Sequence, residues 1–264
     1  MGEVELLIAG WAESSLVDII GEVSFTIWFC GCDFRCPWCQ NRPVVLSEPG
    51  TCRKVPLREV LEAISGASLL SDYVQATGGE PTLQPEGLKA LFRACKDELG
   101  LKTSLDTNGS MASVVKDLLA SGLVDHLAMD IKAPLDQPGK YGRVAGIGRE
   151  KALRAVEAIR ASLSSALDMA PFLEVRTTFV PGLISDQDVL AIARDLADTG
   201  LNRRPRAYYV LQQFSPRGSL IDPSFAELAQ PTPEELLSLA RLVKEQTGLG
   251  AVYVRAQEMG VVKV

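Results

Sequence analysis

Several features that mark other protein classes are missing from this sequence of 264 residues. The chain has a single histidine, His126. It has no run of about 18 apolar residues, so the sequence predicts no membrane-spanning helix. Its first residues lack a basic leader and an apolar signal stretch, and we therefore expect a cytoplasmic protein. Acidic residues exceed basic ones by 33 to 27, and the resulting charge of −6 disfavours non-specific nucleic-acid binding.

The chain also lacks a Gly/Ser-rich linker or a block of like charge that would divide it. This predicts one domain over residues 1–264. Within it we expect an N-terminal edge segment at 1–22, a core at 23–214, and a C-terminal helix with a short strand at 215–264.

Apolar, β-branched runs alternate with helical patterns along the chain. Such alternation predicts an α/β fold with right-handed crossovers and a parallel sheet. Periodicity alone leaves open whether the sheet is flat or curves into a partial barrel. The predicted strands are 24–29, 72–77, 102–107, 124–131, 171–180 and 207–214, with 252–254 as a candidate last short strand and 4–9 as a candidate edge segment. The predicted helices are 56–65, 84–99, 111–121, 149–162, 185–199 and 232–247.

Polar motifs follow or end each of the six main predicted strands. Ligands of parallel α/β sheets collect at the carboxyl ends of the strands, so these motifs predict a lined pocket. They are the cysteine-rich 30–41, Thr77-Gly78-Gly79-Glu80-Pro81, Asp106-Thr107-Asn108-Gly109, Met129-Asp130-Ile131-Lys132, Arg176-Thr177-Thr178 and Gln212-Gln213-Phe214.

Three of the six cysteines fall within eight residues, in the pattern Cys32-x3-Cys36-x2-Cys39. Thiolates suit zinc, copper(I) or iron–sulfur clusters. Zinc would need a fourth ligand, for which Cys30 or Cys52 is available. Cys36 and Cys39 alone would suit a redox pair, which leaves Cys32 unused. A four-iron cluster held by three cysteines would keep one iron open, as catalytic metal sites do.

The cysteine pattern directly after a strand resembles that of radical S-adenosylmethionine (SAM) enzymes. With the later strand-end motifs, the chain is similar to glycyl-radical enzyme activating proteins, and most of all to those of anaerobic ribonucleoside-triphosphate reductase in their longer form. The resemblance extends from about residue 10 to residue 214. It implies a partial (β/α)6 TIM-like barrel, a [4Fe–4S] cluster and SAM.

The resemblance also implies roles for individual residues. Cys32, Cys36 and Cys39 would bind the cluster. SAM would be bound by Trp38, Gly78, Gly79, Glu80, Asp106, Thr107, Asn108, Asp130, Lys132 and Arg176. Asp106 and Asp130 would also hold a monovalent cation.

The implied reaction is reductive cleavage of SAM to a 5′-deoxyadenosyl radical, which takes hydrogen from a glycine of a partner enzyme. The expected partners are anaerobic ribonucleotide reductase and an external low-potential electron donor. Two alternatives remain: a radical SAM enzyme that modifies a small molecule or a tRNA base, and a non-catalytic iron–sulfur or zinc module. The basic cluster Arg203, Arg204 and Arg206 would favour RNA, whereas the net charge opposes it.

The remaining cysteines and the histidine are expected to be structural. Cys30, Cys52 and Cys95 are predicted to be small buried apolar residues. His126 is predicted to lie on a strand without an acid–base role.

Overall fold

The computed structural model describes residues 4–264, and one ten-stranded sheet runs through it. Its strands are β1 (Glu5–Ser15), β2 (Ser24–Phe29), β3 (Arg53–Pro56), β4 (Tyr73–Gly78), β5 (Lys102–Thr107), β6 (His126–Asp130), β7 (Phe172–Phe179), β8 (Ala207–Gln213), β9 (Val252–Ala256) and β10 (Gly260–Lys263). Its helices are α1 (Arg42–Val45), α2 (Leu57–Ala67), α3 (Pro85–Asp97), α4 (Ala112–Ala120), α5 (Pro138–Ala145), α6 (Arg149–Met169), α7 (Asp186–Asp198) and α8 (Pro233–Thr247).

The strand order is β10-β9-β8-β7-β6-β5-β4-β2-β1-β3. The run from β2 to β9 is parallel throughout, while β1, β3 and β10 pair antiparallel near the two edges. Among the described strands, β3 and β10 do not pair with each other, so the sheet stays open on one side. This is the partial TIM-like barrel that the resemblance predicted, with β9 as a further parallel strand.

Side chains alternate between the two faces of the parallel strands. Apolar residues such as Ile27, Val74 and Leu127 are fully buried in the main core, which also takes in the buried faces of the helices. Polar residues such as Gln75 and Glu174 are fully buried on the same strands and contact polar side chains of neighbouring strands. The interior of the barrel is therefore polar, in contrast to its outer layer.

Most predicted elements are confirmed, and helix ends agree well where capping residues mark them. Ser185 and Thr232 each form a capping box with the residue three positions on, at the starts of α7 and α8. The sequence analysis missed β3, α1, α5, β10 and the second half of β1. These segments are short or lie at the edge, where pairing partners rather than periodicity determine the structure.

The expectation that Cys30 and Cys52 are separate apolar residues is wrong, because they form a disulfide with their Cα atoms 6.1 Å apart. Residues 42–52 fold back over the end of β2, where the Gly31 amide donates to the Val44 carbonyl over 2.9 Å. This path places Cys52 beside Cys30. Cys95 is a free, buried cysteine of α3, as predicted.

The segment between β1 and β2, residues 16–22, crosses the amino end of the barrel; we call it the strap. Its Ile19 packs against Tyr73 and Phe172. Leu16 and Val17 at its start are 75% and 65% exposed, so the strap presents an apolar edge to solvent.

The basic cluster Arg203, Arg204 and Arg206 makes local contacts. Arg204 donates to the Ala170 carbonyl over 2.6 Å, and the Arg206 guanidinium lies 4.4 Å from the Phe172 ring centroid. Two of the three arginines of the basic cluster are therefore engaged in contacts within the chain. In the described part of the chain, no helix has the length and apolar character needed to cross a membrane.

Candidate active site

The cysteine loop, residues 30–41, follows β2 at the carboxyl end of the barrel. Cys32, Cys36 and Cys39 are free cysteines, and all three line one cavity. Burial, together with nearby negative charge, raises the pKa of Cys32 to about 12, and burial raises that of Cys36 to about 12. Such thiols give up their protons when a metal centre binds them.

Backbone hydrogen bonds from distant segments hold the cysteine loop in place. The Arg35 amide donates to Ala145, and the amides of Ile221 and Asp222 donate to the carbonyls of Cys39 and Pro37, over 2.9 to 3.1 Å. These contacts hold the loop through its backbone, and the Cys30–Cys52 disulfide attaches its first residue to the segment that follows.

Trp38, which was expected to contact SAM, is also fixed by a hydrogen bond. Its indole N–H donates to the Val144 carbonyl over 3.0 Å, and its side chain lines the cavity. Just beyond this contact, Gly146 has a φ of 64°, and a Cβ there would lie 1.8 Å from the Arg35 carbonyl oxygen. A glycine is therefore required where this segment meets the cysteine loop.

The Gly78-Gly79 turn lies against the same loop. The amide of Gly79 donates to Phe29 over 2.8 Å, and that of Glu80 donates to Gly31 over 2.7 Å. A Cβ on Gly79 would lie 2.0 Å from the Gly31 carbonyl oxygen. Close approach of two backbones thus explains this glycine, which also lines the cavity.

Glu80 differs from the other expected cofactor residues because its side chain is fully buried behind the cavity wall. It accepts hydrogen bonds from the amides of Thr82 and Asn108 and from the Thr107 hydroxyl, over 2.7 to 3.2 Å. Burial raises its pKa to about 7, although these hydrogen bonds act in the opposite direction. The carboxylate joins the ends of β4 and β5 and does not face the cavity.

Four charged side chains form a network on the cavity wall: Asp106, Asp130, Lys132 and Arg176, called here the charged quartet. Arg176 reaches Asp106 over 2.9 Å and Asp130 over 3.1 Å, and Lys132 reaches Asp130 over 3.0 Å. Burial alone would raise the pKa of Asp130, but Lys132 and Arg176 hold it below its usual range. Asp130 therefore remains ionised at neutral pH.

The cavity has a volume of about 890 Å³ and combines polar and apolar walls. It brings together every residue proposed for the cluster and SAM except Glu80. It also includes three groups that were not assigned to the cluster or to SAM: the strap at 16–21, residues 212–215 at the end of β8, and residues 255–257, 260 and 261 around the β9–β10 turn. Of these three groups, only residues 212–214 could be predicted from the sequence, because they form one of the strand-end motifs.

The cysteines fit a cluster better than a single zinc ion. Within residues 4–264, no three His, Cys, Asp or Glu side chains converge closely enough to hold one metal ion. Cys30 and Cys52, the possible fourth ligands, bond to each other. Three thiols on one loop are thus left for a larger metal centre with an open position.

Residues 26–201 match the family model of the radical SAM superfamily. This match covers most of the chain and includes the cysteine loop and the charged quartet. The chain belongs to the radical SAM superfamily, and membership implies a [4Fe–4S] cluster and SAM as cofactors.

Similar proteins extend this assignment. A Methanocaldococcus jannaschii protein, provisionally named a glycyl-radical enzyme activating enzyme, is 28% identical over 92% of this chain and 93% of its own length. The Escherichia coli pyruvate formate-lyase 1-activating enzyme is 34% identical over 44% of this chain and 48% of its own. A 7-carboxy-7-deazaguanine synthase of Thermococcus kodakarensis is 31% identical over 42% of this chain and 50% of its own.

A solved structure shows the same fold. The hydrogenase maturase HydG of Carboxydothermus hydrogenoformans superposes with a TM-score of 0.60 at 14% identity over 86% of this chain. This chain covers 52% of HydG, so the likeness concerns about half of that protein.

Proposed function

We propose that this protein activates a glycyl-radical enzyme, and that its partner is an anaerobic ribonucleotide reductase. The observation that carries the proposal is the match to the M. jannaschii protein along nearly the full length of both chains. The match to the pyruvate formate-lyase 1-activating enzyme supports the same class of reaction over a shorter segment. The choice of reductase as partner comes from the sequence resemblance.

Each expected site residue except Glu80 has a place in this proposal. Cys32, Cys36 and Cys39 hold the cluster, and the charged quartet with Trp38 and the Gly78-Gly79 turn surrounds SAM. Thr107 and Asn108 complete the wall at the end of β5. When bound and reduced by an external low-potential donor, the cluster supplies the electron that cleaves SAM to methionine and a 5′-deoxyadenosyl radical. The residues of this chain orient SAM and exclude water.

Access for a protein substrate comes from the open side of the sheet between β3 and β10. The cavity extends from the cysteines to Leu16 and Val17 on the strap and to Val261 on β10. A glycine loop of the partner that enters here would close the cavity to water. Hydrogen would then pass from the glycine Cα to the adenosyl carbon, and 5′-deoxyadenosine and a glycyl radical would result.

The test is an anaerobic reaction of the reconstituted protein with SAM and dithionite, followed by addition of the candidate reductase. We expect 5′-deoxyadenosine, and a glycyl doublet in the electron spin resonance spectrum of the reductase. Cys36→Ala should lose the visible absorbance of the cluster and both products. Cys95→Ala, which changes a buried cysteine outside the cavity, should retain them.

Formation of 5′-deoxyadenosine without a glycyl signal would reject the activase proposal while leaving the family assignment intact. The second candidate is then a small-molecule radical SAM enzyme, favoured by the similarity to the T. kodakarensis synthase. A tRNA substrate is opposed by the net charge of −6. Turnover of a deazapurine precursor without any partner protein would favour this second candidate.

The monovalent cation expected near Asp106 and Asp130 remains a prediction. Arg176 lies between these two carboxylates, where the predicted cation would bind.

A further inference from the structure

All four carboxylate oxygens of Asp106 and Asp130 already have donors from the chain. Asp106 accepts from the Gln75 amide and the Thr77 hydroxyl, each over 3.0 Å, and from Arg176 over 2.9 Å. Asp130 accepts from Arg176 on one oxygen over 3.1 Å and from Lys132 on the other over 3.0 Å. A metal cation bound by these carboxylates would have to compete with these donors for the same oxygens.

Arg176 is the group that joins the two carboxylates. It is the parallel register partner of Asp130, so β6 and β7 place their side chains next to each other. Its Nη2 reaches Asp106 while its Nε reaches Asp130, a geometry that the rigid guanidinium fork supplies. Only 8% of its side chain is exposed, so its position is fixed by packing.

Lys132 does not take this bridging position. Its Nζ pairs with Asp130 alone and lies 5.3 Å from the Trp38 ring centroid. With both cations present, the quartet has two negative and two positive groups. A further metal cation would add a net positive charge to this network, at a cost that burial increases.

We propose that Arg176 acts as a built-in cation of the SAM site, so that this protein binds SAM without a bound Na⁺ or K⁺ ion. Arg176 is a positioning residue that holds Asp106 and Asp130 in the arrangement a metal cation would otherwise impose. The inference rests on the SAM binding of the proposed function and not on the identity of the partner.

The test measures SAM affinity of the anaerobically reconstituted holoprotein by calorimetry in potassium, sodium and choline chloride. Ionic strength is matched so that general screening is equal in all three salts. We expect the wild-type dissociation constant for SAM to agree within about twofold across the three salts. This variation is well below a tenfold change in affinity, which corresponds to about 1.4 kcal/mol. Arg176→Met should weaken SAM binding in choline by about tenfold or more and regain affinity in sodium or potassium.

Two further variants keep the result interpretable. Arg176→Lys retains the charge without the fork, and we expect an intermediate loss with weaker salt dependence. Arg58→Met changes an exposed arginine of α2, with 81% of its side chain accessible, and should match the wild type. Cluster absorbance and thermal unfolding of each variant confirm that it is folded and loaded.

Three outcomes would overturn the inference: a wild-type affinity that falls about tenfold in choline, an Arg176→Met protein with wild-type affinity in choline, or an equal loss in all three salts. The last would show that Arg176 contacts SAM without replacing a cation. Absence of SAM binding by the wild type in every salt would instead reject the proposed function.

Discussion

Gly79 lies at a close approach of two backbone segments of the site. The Gly78-Gly79 turn and the cysteine loop meet there through paired amide and carbonyl groups. The family resemblance implied that this glycine contributes to SAM binding. The structure adds a second reason, since the Gly31 carbonyl occupies the space that a Cβ would need.

Gly79→Ala should therefore displace the cysteine loop. We expect a destabilisation of about 2 kcal/mol from the forced backbone shift, with reduced iron loading after reconstitution. Thermal unfolding and iron analysis would measure the two effects. Gly66→Ala is the matched control, because a Cβ there meets no atom within 4 Å on helix α2, and it should stabilise by about 0.5–1 kcal/mol. Equal behaviour of the two variants would contradict this account.

Two features of individual residues could not be predicted from the sequence. The motif around Glu80 was visible, but the inward turn of its carboxylate depends on Thr107 and Asn108 from another strand. The pairing of Cys30 with Cys52 depends on the fold of residues 42–52, which have no clear periodicity. By contrast, the three cluster cysteines were predictable because their ligand chemistry is local in the sequence.

Among the elements, the strap is held by a buried carboxylate on β7. Glu174 accepts from the Ile20 amide over 3.2 Å and pairs with Arg255 of β9 over 3.0 Å. Arg255 also donates to the Asp18 carbonyl over 3.3 Å, and the Nε2 of His126 lies 3.5 Å from Glu174. One carboxylate thus links the strap to strands on both sides of β7.

This link predicts a pH dependence of stability. Burial alone would raise the pKa of Glu174, but His126 and Arg255 outweigh it and lower the pKa to about 2. Because the folded-state value is depressed, the stabilisation is complete above the ordinary pKa and is lost as pH falls from 4.5 towards 2. The size of the effect is about 3 kcal/mol by linkage.

Urea unfolding followed by circular dichroism would measure this profile in the wild type and in Glu174→Gln. The variant should be less stable at neutral pH and should lose less between pH 4.5 and 2, the range of the shift. Glu62→Gln, at an exposed site on α2, should follow the wild-type curve. Parallel wild-type and Glu174→Gln curves would exclude this role for Glu174.

The element order was predictable because strands and helices alternate with distinct periodicities and the caps at Ser185 and Thr232 mark helix starts. The strap was not predictable. Its apolar residues lack strand or helix periodicity, and its anchors, Glu174 and Arg255, lie more than a hundred residues away. Contacts between residues so far apart in the sequence form only when the sheet curves and brings β7 and β9 to the strap.

At the scale of the whole molecule, the cavity draws on most of the chain, from the strap to β10. The barrel wall follows from the parallel strand order, so the class of fold and the location of the site could be predicted together. The sequence analysis did not show the width of the opening or which segments border it. These depend on how β1, β3 and β10 finish the edges of the sheet.

The anchoring of the cysteine loop predicts how the molecule responds to metal removal. Its backbone hydrogen bonds come from residues 145, 221 and 222, and none depends on iron. Chelation of the cluster should leave the far-ultraviolet circular dichroism spectrum nearly unchanged. The melting temperature should fall only by the stabilisation that cluster binding had contributed. Loss of most of the secondary structure on chelation would show that the loop needs the cluster to fold.

A preformed ligand loop has a consequence for a protein that works with an oxygen-sensitive centre. In small metal-folded domains, loss of the metal means loss of the fold. Here the Arg35–Ala145 contact and its neighbours keep the three thiols at one edge of the barrel. Damage by oxygen would then leave an intact scaffold that is ready to accept fresh iron and sulfide, so that an exposure to air interrupts the enzyme without destroying it.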